Sequence, residues 1–349
     1  MMRSAAIVGG GLATAIHLRH NGWRVDVLER AATHPTTGTA LGIWPAALKA
    51  LDTLGVGATV RTIGRAQSGA VFLRPDGSRI GAIDSAALER RSGDAVHLIS
   101  RPALLGVLAA AAGPLRFGVE APDVRELAGY DVVVGADGLH SRVRDALFGP
   151  GFRPRYTGHT VWRGAVPADL GVTAQTLGRG AIFGITGQEG GRTNWFATAH
   201  APEGQREPGN EVAALKERFG HWHEDVRAVL DLVTEDEVLH HDLHHLDPPL
   251  PSYVTERVAL IGDAAHAMTP DLGRGACEAI VDGLSLAEQL VHDPDVALAL
   301  ASYDRERRPP TQRLARMSRL MNRAVGVRRC LPLRDAALGL VLRFGRPPA

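Results

Sequence analysis

The chain has 349 residues, 45% of them hydrophobic, enough to bury one large core or two joined ones and to exclude disorder as its main theme. Its 39 Lys and Arg against 38 Asp and Glu leave a net charge of +1, so the overall balance favours neither nucleic acid nor a membrane surface, and a small-molecule ligand becomes the default. Two cysteines, Cys277 and Cys330, are too few for a disulfide framework, and no run of about eighteen apolar residues or signal-like leader is present; a cytoplasmic protein without a spanning helix is expected.

Residues 4–8 are a short apolar run ending in Gly9-Gly10-Gly11, after which Leu12, Ala15, Ile16 and Leu18 recur at helical spacing until Asn21-Gly22. Residues 23–28 read as a second strand ending in Glu29-Arg30. This is a βαβ opening. Gly9 and Gly11 would let the backbone approach a pyrophosphate at the helix N-terminus, and Glu29, about 20 residues on, could hold a ribose hydroxyl. The plainer alternative is a tight structural turn. Thr14 stands where the dinucleotide fingerprint has its third glycine, so the loop looks shortened.

Residues 46–54 carry helical periodicity, and 71–73 with 78–83 read as a hairpin around Arg74-Pro75-Asp76-Gly77. Arg101-Pro102 opens a helix rich in Ala and Leu; Arg101 there suits a bidentate phosphate contact or an ordinary surface position. Residues 131–135 form another buried strand, and Asp137-Gly138 turns it into a helix. Asp137 is either a turn residue or a cofactor contact at the end of a parallel strand.

From about 156 to 201 the pattern becomes β-like, with glycine-rich turns. Trp162, Phe183, Trp195 and Phe196 fall in or beside these strands, where an inserted sheet could roof a planar apolar substrate or simply bury them as core. With Arg163 they suggest a flat ligand carrying one acidic group. Residues 211–219 and 224–232 look helical. The run His240-His241-Asp242-Leu243-His244-His245 raises a metal site, but its flanks and Pro248-Pro249 suit an extended strand better, and no metal is expected.

Residues 258–261 feed Gly262-Asp263, an irregular segment through Pro270 to Gly275, and a helix over 276–290. Strand, glycine loop and helix N-terminus together offer free N–H groups and a positive dipole end, and Asp263 can accept hydroxyl hydrogens. A further helix starts near 296, with Pro309-Pro310 expected to interrupt or kink it. The arginines between 313 and 329 are read as a solvated face with some role in phosphate attraction. The end, 346–348, reads as a frayed tail.

The βαβ opening, the run Gly135-Ala136-Asp137-Gly138-Leu139-His140-Ser141-Arg142-Val143-Arg144, and the stretch from Gly262-Asp263 to Cys277 resemble, in that order, the three landmarks of the single-component FAD-dependent aromatic hydroxylases. These have the fold of para-hydroxybenzoate hydroxylase, and the closest likeness is to the salicylate hydroxylase-like branch. The resemblance implies an α/β fold: a Rossmann-like FAD-binding domain over 1–155 and 250–310, an inserted β-sheet substrate domain over 156–249, and a C-terminal helical segment over 311–349.

It further implies that Gly9, Gly11, Glu29, Arg30 and Arg101 hold the ADP portion of FAD. Asp263 would hold the ribityl chain, and the backbone around Gly273, Gly275 and Ala276 the isoalloxazine edge. Asp137 and Gly138 match a motif tied to FAD and NAD(P)H. Pro270 would shape the wall where O2 reacts. His266 would either assist phenol deprotonation or pack behind the loop as a structural residue. Enzymes of this family use NAD(P)H to reduce the flavin and O2 to form a C4a-hydroperoxide that hydroxylates an activated aromatic ring. A monomer or homodimer is expected, and the alternatives are an epoxidase or oxidase of the same fold, or a non-redox binding protein.

The chain departs from the family in a first glycine loop about three residues short and in a brief 119–130 segment where a longer β-meander is usual. Trimmed connections, residues missing from the sequence and weakened FAD binding would each account for this.

Overall fold

The computed structural model describes residues 2–84, 89–90, 92–120 and 123–344. Strand β1 (Ser4–Gly9), helix α1 (Leu12–His20) and strand β2 (Arg24–Glu29) form the βαβ opening. β1 pairs in parallel with β2 on one side and with β9 (Val132–Ala136) on the other. β16 (Val258–Leu260) extends the parallel set beyond β9, and β8 (Arg116–Phe117) and β15 (Val254–Thr255) form the edges. Residues 5–8, 132–134 and 258–260 are buried, as continuous apolar strands of a parallel sheet covered on both faces should be.

The second sheet has seven strands in the order β14 (Leu239–Asp247), β10 (Arg153–Val166), β13 (Arg192–His200), β12 (Ala181–Gln188), β11 (Ala174–Leu177), β5 (Gly69–Leu73) and β6 (Arg79–Asp84). The hairpin β5–β6 departs from the expected division: it lies within 1–155 but joins the inserted sheet through parallel pairing of β5 with β11. Long-range pairing of this kind leaves no local trace in sequence. A small third sheet, β3 (Ala40–Ile43), β7 (Val96–Ser100) and β4 (Arg65–Gln67), bridges the two layers.

The remaining helices are α2 (Pro45–Thr53), α3 (Gly57–Ile63), α4 (Arg101–Ala112), α5 (Arg142–Phe148), α6 (Glu211–Phe219), α7 (Glu224–Leu230), a single turn α8 (Asp263–His266), α9 (Gly275–His292), α10 (Val296–Val325) and α11 (Leu331–Phe344). Helices α4 and α9 flank α1 on the parallel sheet. α6 and α7 cover one face of the second sheet, where Trp162, Phe183, Trp195, Phe219 and Trp222 form a separate core.

The histidine-rich run is the extended β14, and no group of His, Cys, Asp and Glu among the described residues could hold a metal ion. Helix α10 runs continuously through Pro309 and Pro310, so of the expected interruption or kink the interruption does not occur. Their missing amides free only the carbonyls of Arg305 and Glu306. An exposed Asp295 cap starts the helix, and two buried anchors hold the rest: Tyr303 donating to the Leu260 carbonyl at 2.8 Å and Thr311 donating to the Arg307 carbonyl at 2.7 Å. Residues 346–348 and 121–122 lie outside the described residues.

Candidate active site

Two residues after β16 comes Gly262, whose φ of +59° carries the chain beneath α9; a Cβ there would lie 2.9 Å from the Ala279 Cβ. Only glycine tolerates both conditions. Asp263 follows. Its carboxylate is open to solvent yet closely ringed by protein, which raises its pKa against the opposing pull of His266 and Arg144. It accepts no hydrogen bond from the described residues. A Cβ on Gly275 would sit 3.9 Å from Asp263 Oδ1, so this carboxylate lies beside the N-terminus of α9. The first-turn amides of Gly275, Ala276 and Cys277 have no intrahelical acceptor. They are presented there because Gly273, in the left-handed region at φ +60°, ends the Pro270–Leu272 turn. Acceptor, free amides and positive helix end suit a polyhydroxyl chain joined to an electron-rich ring.

Behind the loop is a buried ion network. His266 Nε2 lies 2.5 Å from Asp282 Oδ2, which also accepts from the Gly262 amide at 3.0 Å. Arg307 bridges Asp282 and Glu278 at 2.7 and 2.6 Å, and Arg274 pairs with Glu278 at 3.0 Å. Burial opposes charge on His266, but Asp282 outweighs it and holds its pKa above the ordinary value; the same pairing holds Asp282 low against its own desolvation. His266 Nε2 is thus committed to Asp282, as a residue packed behind the loop would have it, while its Nδ1 has no partner among the described residues.

On the adenosine side the glycine turn is folded tightly onto β9. Gly9 has φ +90°, a Cβ there would fall 2.5 Å from the Ala136 oxygen, and the Gly10 amide donates to that oxygen at 3.1 Å. Above Gly10 a Cβ would meet nothing within 4 Å. Glu29 accepts from the Ala31 amide at 2.9 Å through one oxygen, leaving the other available, while Arg30 and Arg101 are exposed. Asp137 is spent on helix capping: its oxygens accept from Ser141 Oγ at 2.5 Å and the Val143 amide at 3.1 Å. Gly138 supplies the turn at φ +79°. The donor set fits FAD, with the fuller complement at the flavin end.

Thr14, at the third-glycine position, does not hold the helices apart. Its hydroxyl donates to the Gly283 carbonyl of α9 at 3.0 Å, and a Cβ on Gly283 would come within 3.0 Å of both Thr14 Oγ1 and Ala13 Cβ. Close approach is provided from the opposite helix.

Strand alternation sorts the roof. Trp162, Phe183 and Trp195 are at most 2% exposed and face α6 and α7, which corrects the expectation that they contact substrate. Period-2 geometry turns their neighbours the other way. Arg163 and Phe196 pair across β10 and β13, and Phe196 packs over Gly184, where a Cβ would collide with its ring. The Arg163 guanidinium is largely buried, forms no ion pair with the described residues and leaves Nε without a partner. Burial and repulsion from Arg101 lower its pKa.

Further along this face His159 has both ring nitrogens without a partner among the described residues. It lines a cavity of about 10 Å³ with Thr198, Asn322 and Asp271, the residue after Pro270. Asp271 Oδ1 accepts from Asn322 Nδ2 at 3.2 Å, Oδ2 has no partner among the described residues, and burial raises its pKa. Asp271 was not singled out in sequence; its only signal is its place next to Pro270.

A parallel sheet with a glycine turn at its first strand, an aspartate and helix N-terminus at its last, and an antiparallel roof define a flavin-dependent oxidoreductase. Residues 128–318 match the family model described as FAD binding domain. The chain is 33% identical over 314 residues to the aurachin C monooxygenase/isomerase of Stigmatella aurantiaca, covering 84% of this chain and 81% of that protein. It is 28% identical over 331 residues to an FAD-dependent urate hydroxylase of Klebsiella pneumoniae, covering 87% and 85%. The structure of Klebsiella pneumoniae HpxO complexed with FAD and uric acid superposes with a TM-score of 0.87 at 25% identity, covering 98% of this chain and 92% of that one. The chain therefore belongs to the FAD-binding family of single-component aromatic hydroxylases: it is an FAD-dependent monooxygenase. No described helix is long and apolar enough to cross a membrane.

Proposed function

We propose that the enzyme hydroxylates a flat aromatic molecule bearing an acidic or readily ionised group, consuming NAD(P)H and O2 in the cytoplasm, as a monomer or homodimer. The observation that carries this reading is Arg163, half-buried on the cleft-facing side of β10 beside Arg101 and without an ion-pair partner among the described residues. Burying an unpaired guanidinium is costly, and an anionic group on the ligand would offset that cost.

When bound, FAD supplies the oxygen-activating redox chemistry. Asp263 would hold its ribityl hydroxyls, and the free amides of Gly275 and Ala276 would favour negative charge at its ring edge. Gly9, Gly11, Glu29 and Arg101 serve the ADP portion, with Arg30 beside them. Phe196 packs on the substrate ring and Arg163 orients its anionic end. Asp271 Oδ2 takes the proton of a ring hydroxyl or N–H, which enriches the ring in electrons for oxygen transfer. Pro270, lacking an N–H, forms a wall that donates no hydrogen bond. The cofactor unit comprises 1–155 and 250–310 without the 69–84 hairpin, the roof comprises 156–249 with it, and 311–349 is the C-terminal helical segment.

The test is turnover under labelled O2 with hydroxylated aromatic acids, following NAD(P)H oxidation and product mass. One labelled oxygen per product, with KM raised in Arg163→Met and kcat lowered in Asp271→Asn, is the expected result. Products without label would overturn the reading.

A further inference from the structure

Helix α11 is oriented contrary to its polarity. Its inward side carries the charged pair: Asp335 is 4% exposed and bonded to Arg74 Nε at 2.8 Å, and Arg334 donates to the Gly178 carbonyl at 2.6 Å. Small residues seat it on β6, since a Cβ on Gly339 would lie 3.2 Å from the Ile80 oxygen and one on Gly81 would lie 2.7 Å from Leu342. Its outward side is apolar until the last turn, where Arg343 is exposed. Leu333, Leu340 and Val341 are 73%, 61% and 57% exposed, with Ala336 and Ala337 exposed between them. Spacings of three, four, seven and eight residues make these one continuous helical stripe. An isolated soluble chain gains nothing by facing leucines to water.

The charge of the C-terminal segment is equally one-sided. Residues 311–349 contain nine arginines and one acid, Asp335, so this segment is +8 in a chain whose net charge is only +1. The overall balance conceals the asymmetry. Arg328 and Arg329, both exposed, immediately precede α11. On α10, Met317 and Leu320 are 46% and 62% exposed among the exposed Arg313, Arg316 and Arg323.

We propose that α11 and the arginines at its N-terminal end form a peripheral docking surface for an anionic lipid bilayer. A bilayer supplies both missing partners at once, acyl chains for the leucines and phosphates for the arginines. A second copy of the chain would meet the stripe with the same arginines, and the segment's one carboxylate is already buried and paired. At 14 residues α11 is about 21 Å long, too short to span and suited to lying in the interface.

The test is co-sedimentation of the full-length FAD-loaded protein with phosphatidylcholine vesicles, with and without phosphatidylglycerol. Pelleting with the anionic vesicles alone, weakening as salt rises, is expected. The double variant Leu333→Ser, Leu340→Ser should abolish it, and Arg328→Glu should weaken partitioning about fivefold or more. Both changes lie at exposed positions, so thermal unfolding and NAD(P)H oxidation without vesicles should match the parent. Protein remaining in the supernatant with both vesicles overturns the proposal, as does equal pelleting with both. So does a dimer in light scattering that the leucine variant converts to monomer while vesicle binding persists.

Discussion

Thr14 of α1 and Gly283 of α9 are in direct contact, the threonine hydroxyl donating to the glycine carbonyl at 3.0 Å. The contact explains how a shortened dinucleotide turn still packs its helix, because the missing side chain is on α9 instead of α1. Gly283→Ala would place a methyl group 3.0 Å from Ala13 Cβ and Thr14 Oγ1 inside two packed helices. Overpacking of that kind costs about 1–3 kcal/mol. Thermal unfolding should shift down accordingly, and FAD affinity should fall with it, since α1 and α9 each present an N-terminus to the cofactor. Thr14→Ser, which keeps the hydroxyl and removes only the methyl group, should leave FAD affinity close to the parent value in a flavin fluorescence titration.

The pair His266 and Asp282 makes stability depend on pH in a defined direction. His266 has a folded pKa raised above its unfolded value of 6.5, so its contribution is complete below that value and is lost as pH rises through the folded pKa. Asp282 has a depressed folded pKa, so its contribution is present above 3.8 and is lost as pH falls through the folded value. Arg307, Glu278, Asp263 and Tyr253 surround the pair, and Arg307 remains charged throughout. His266→Gln should therefore lower the unfolding temperature most between these limits. The deficit should shrink in alkaline buffer; a constant deficit would mean that the imidazolium is not the stabilising form.

The roof shows where sequence pattern was sufficient and where it was not. Strands β1, β9 and β16 were readable because each is an apolar run closed by glycine, and β14 because Pro248 follows its histidines. Which side each aromatic of the roof faces was not settled, although alternation already separates Trp195 from Phe196. Three aromatics turned out to pack under α6 and α7, because that sheet face needs its own core. Asp271 and the pairing of β5 with β11 left no periodic signal, being fixed by contacts far apart in sequence.

That division predicts opposite phenotypes for adjacent residues. Trp195→Ala empties a fully buried site, which costs about 3–5 kcal/mol and should lower yield and melting temperature whatever the substrate. Phe196→Ala removes a partly exposed ring from the cleft face and should leave the melting temperature nearly unchanged while raising KM. Steady-state kinetics beside thermal melts of the two variants decides the assignment; equal destabilisation by both would contradict it.

Asp263 is the sharpest test of the flavin end. Its carboxylate is exposed and accepts no hydrogen bond from the described residues, beside the free amides of α9. Charged hydrogen bonds are worth about 1.5–3 kcal/mol, so Asp263→Ala should weaken FAD binding about 10- to 100-fold. The protein should stay folded, because the ion network behind the loop uses His266, Asp282 and Arg307 and not Asp263. The purified variant should lose the visible flavin absorbance that the parent retains through gel filtration, and regain it in excess FAD. Asp263→Asn keeps hydrogen-bonding atoms but no charge and should fall between the two. If alanine binds FAD as tightly as the parent, the hold on the cofactor lies instead at the adenosine end, and the tight Gly9–Gly11 turn is fully competent despite its length.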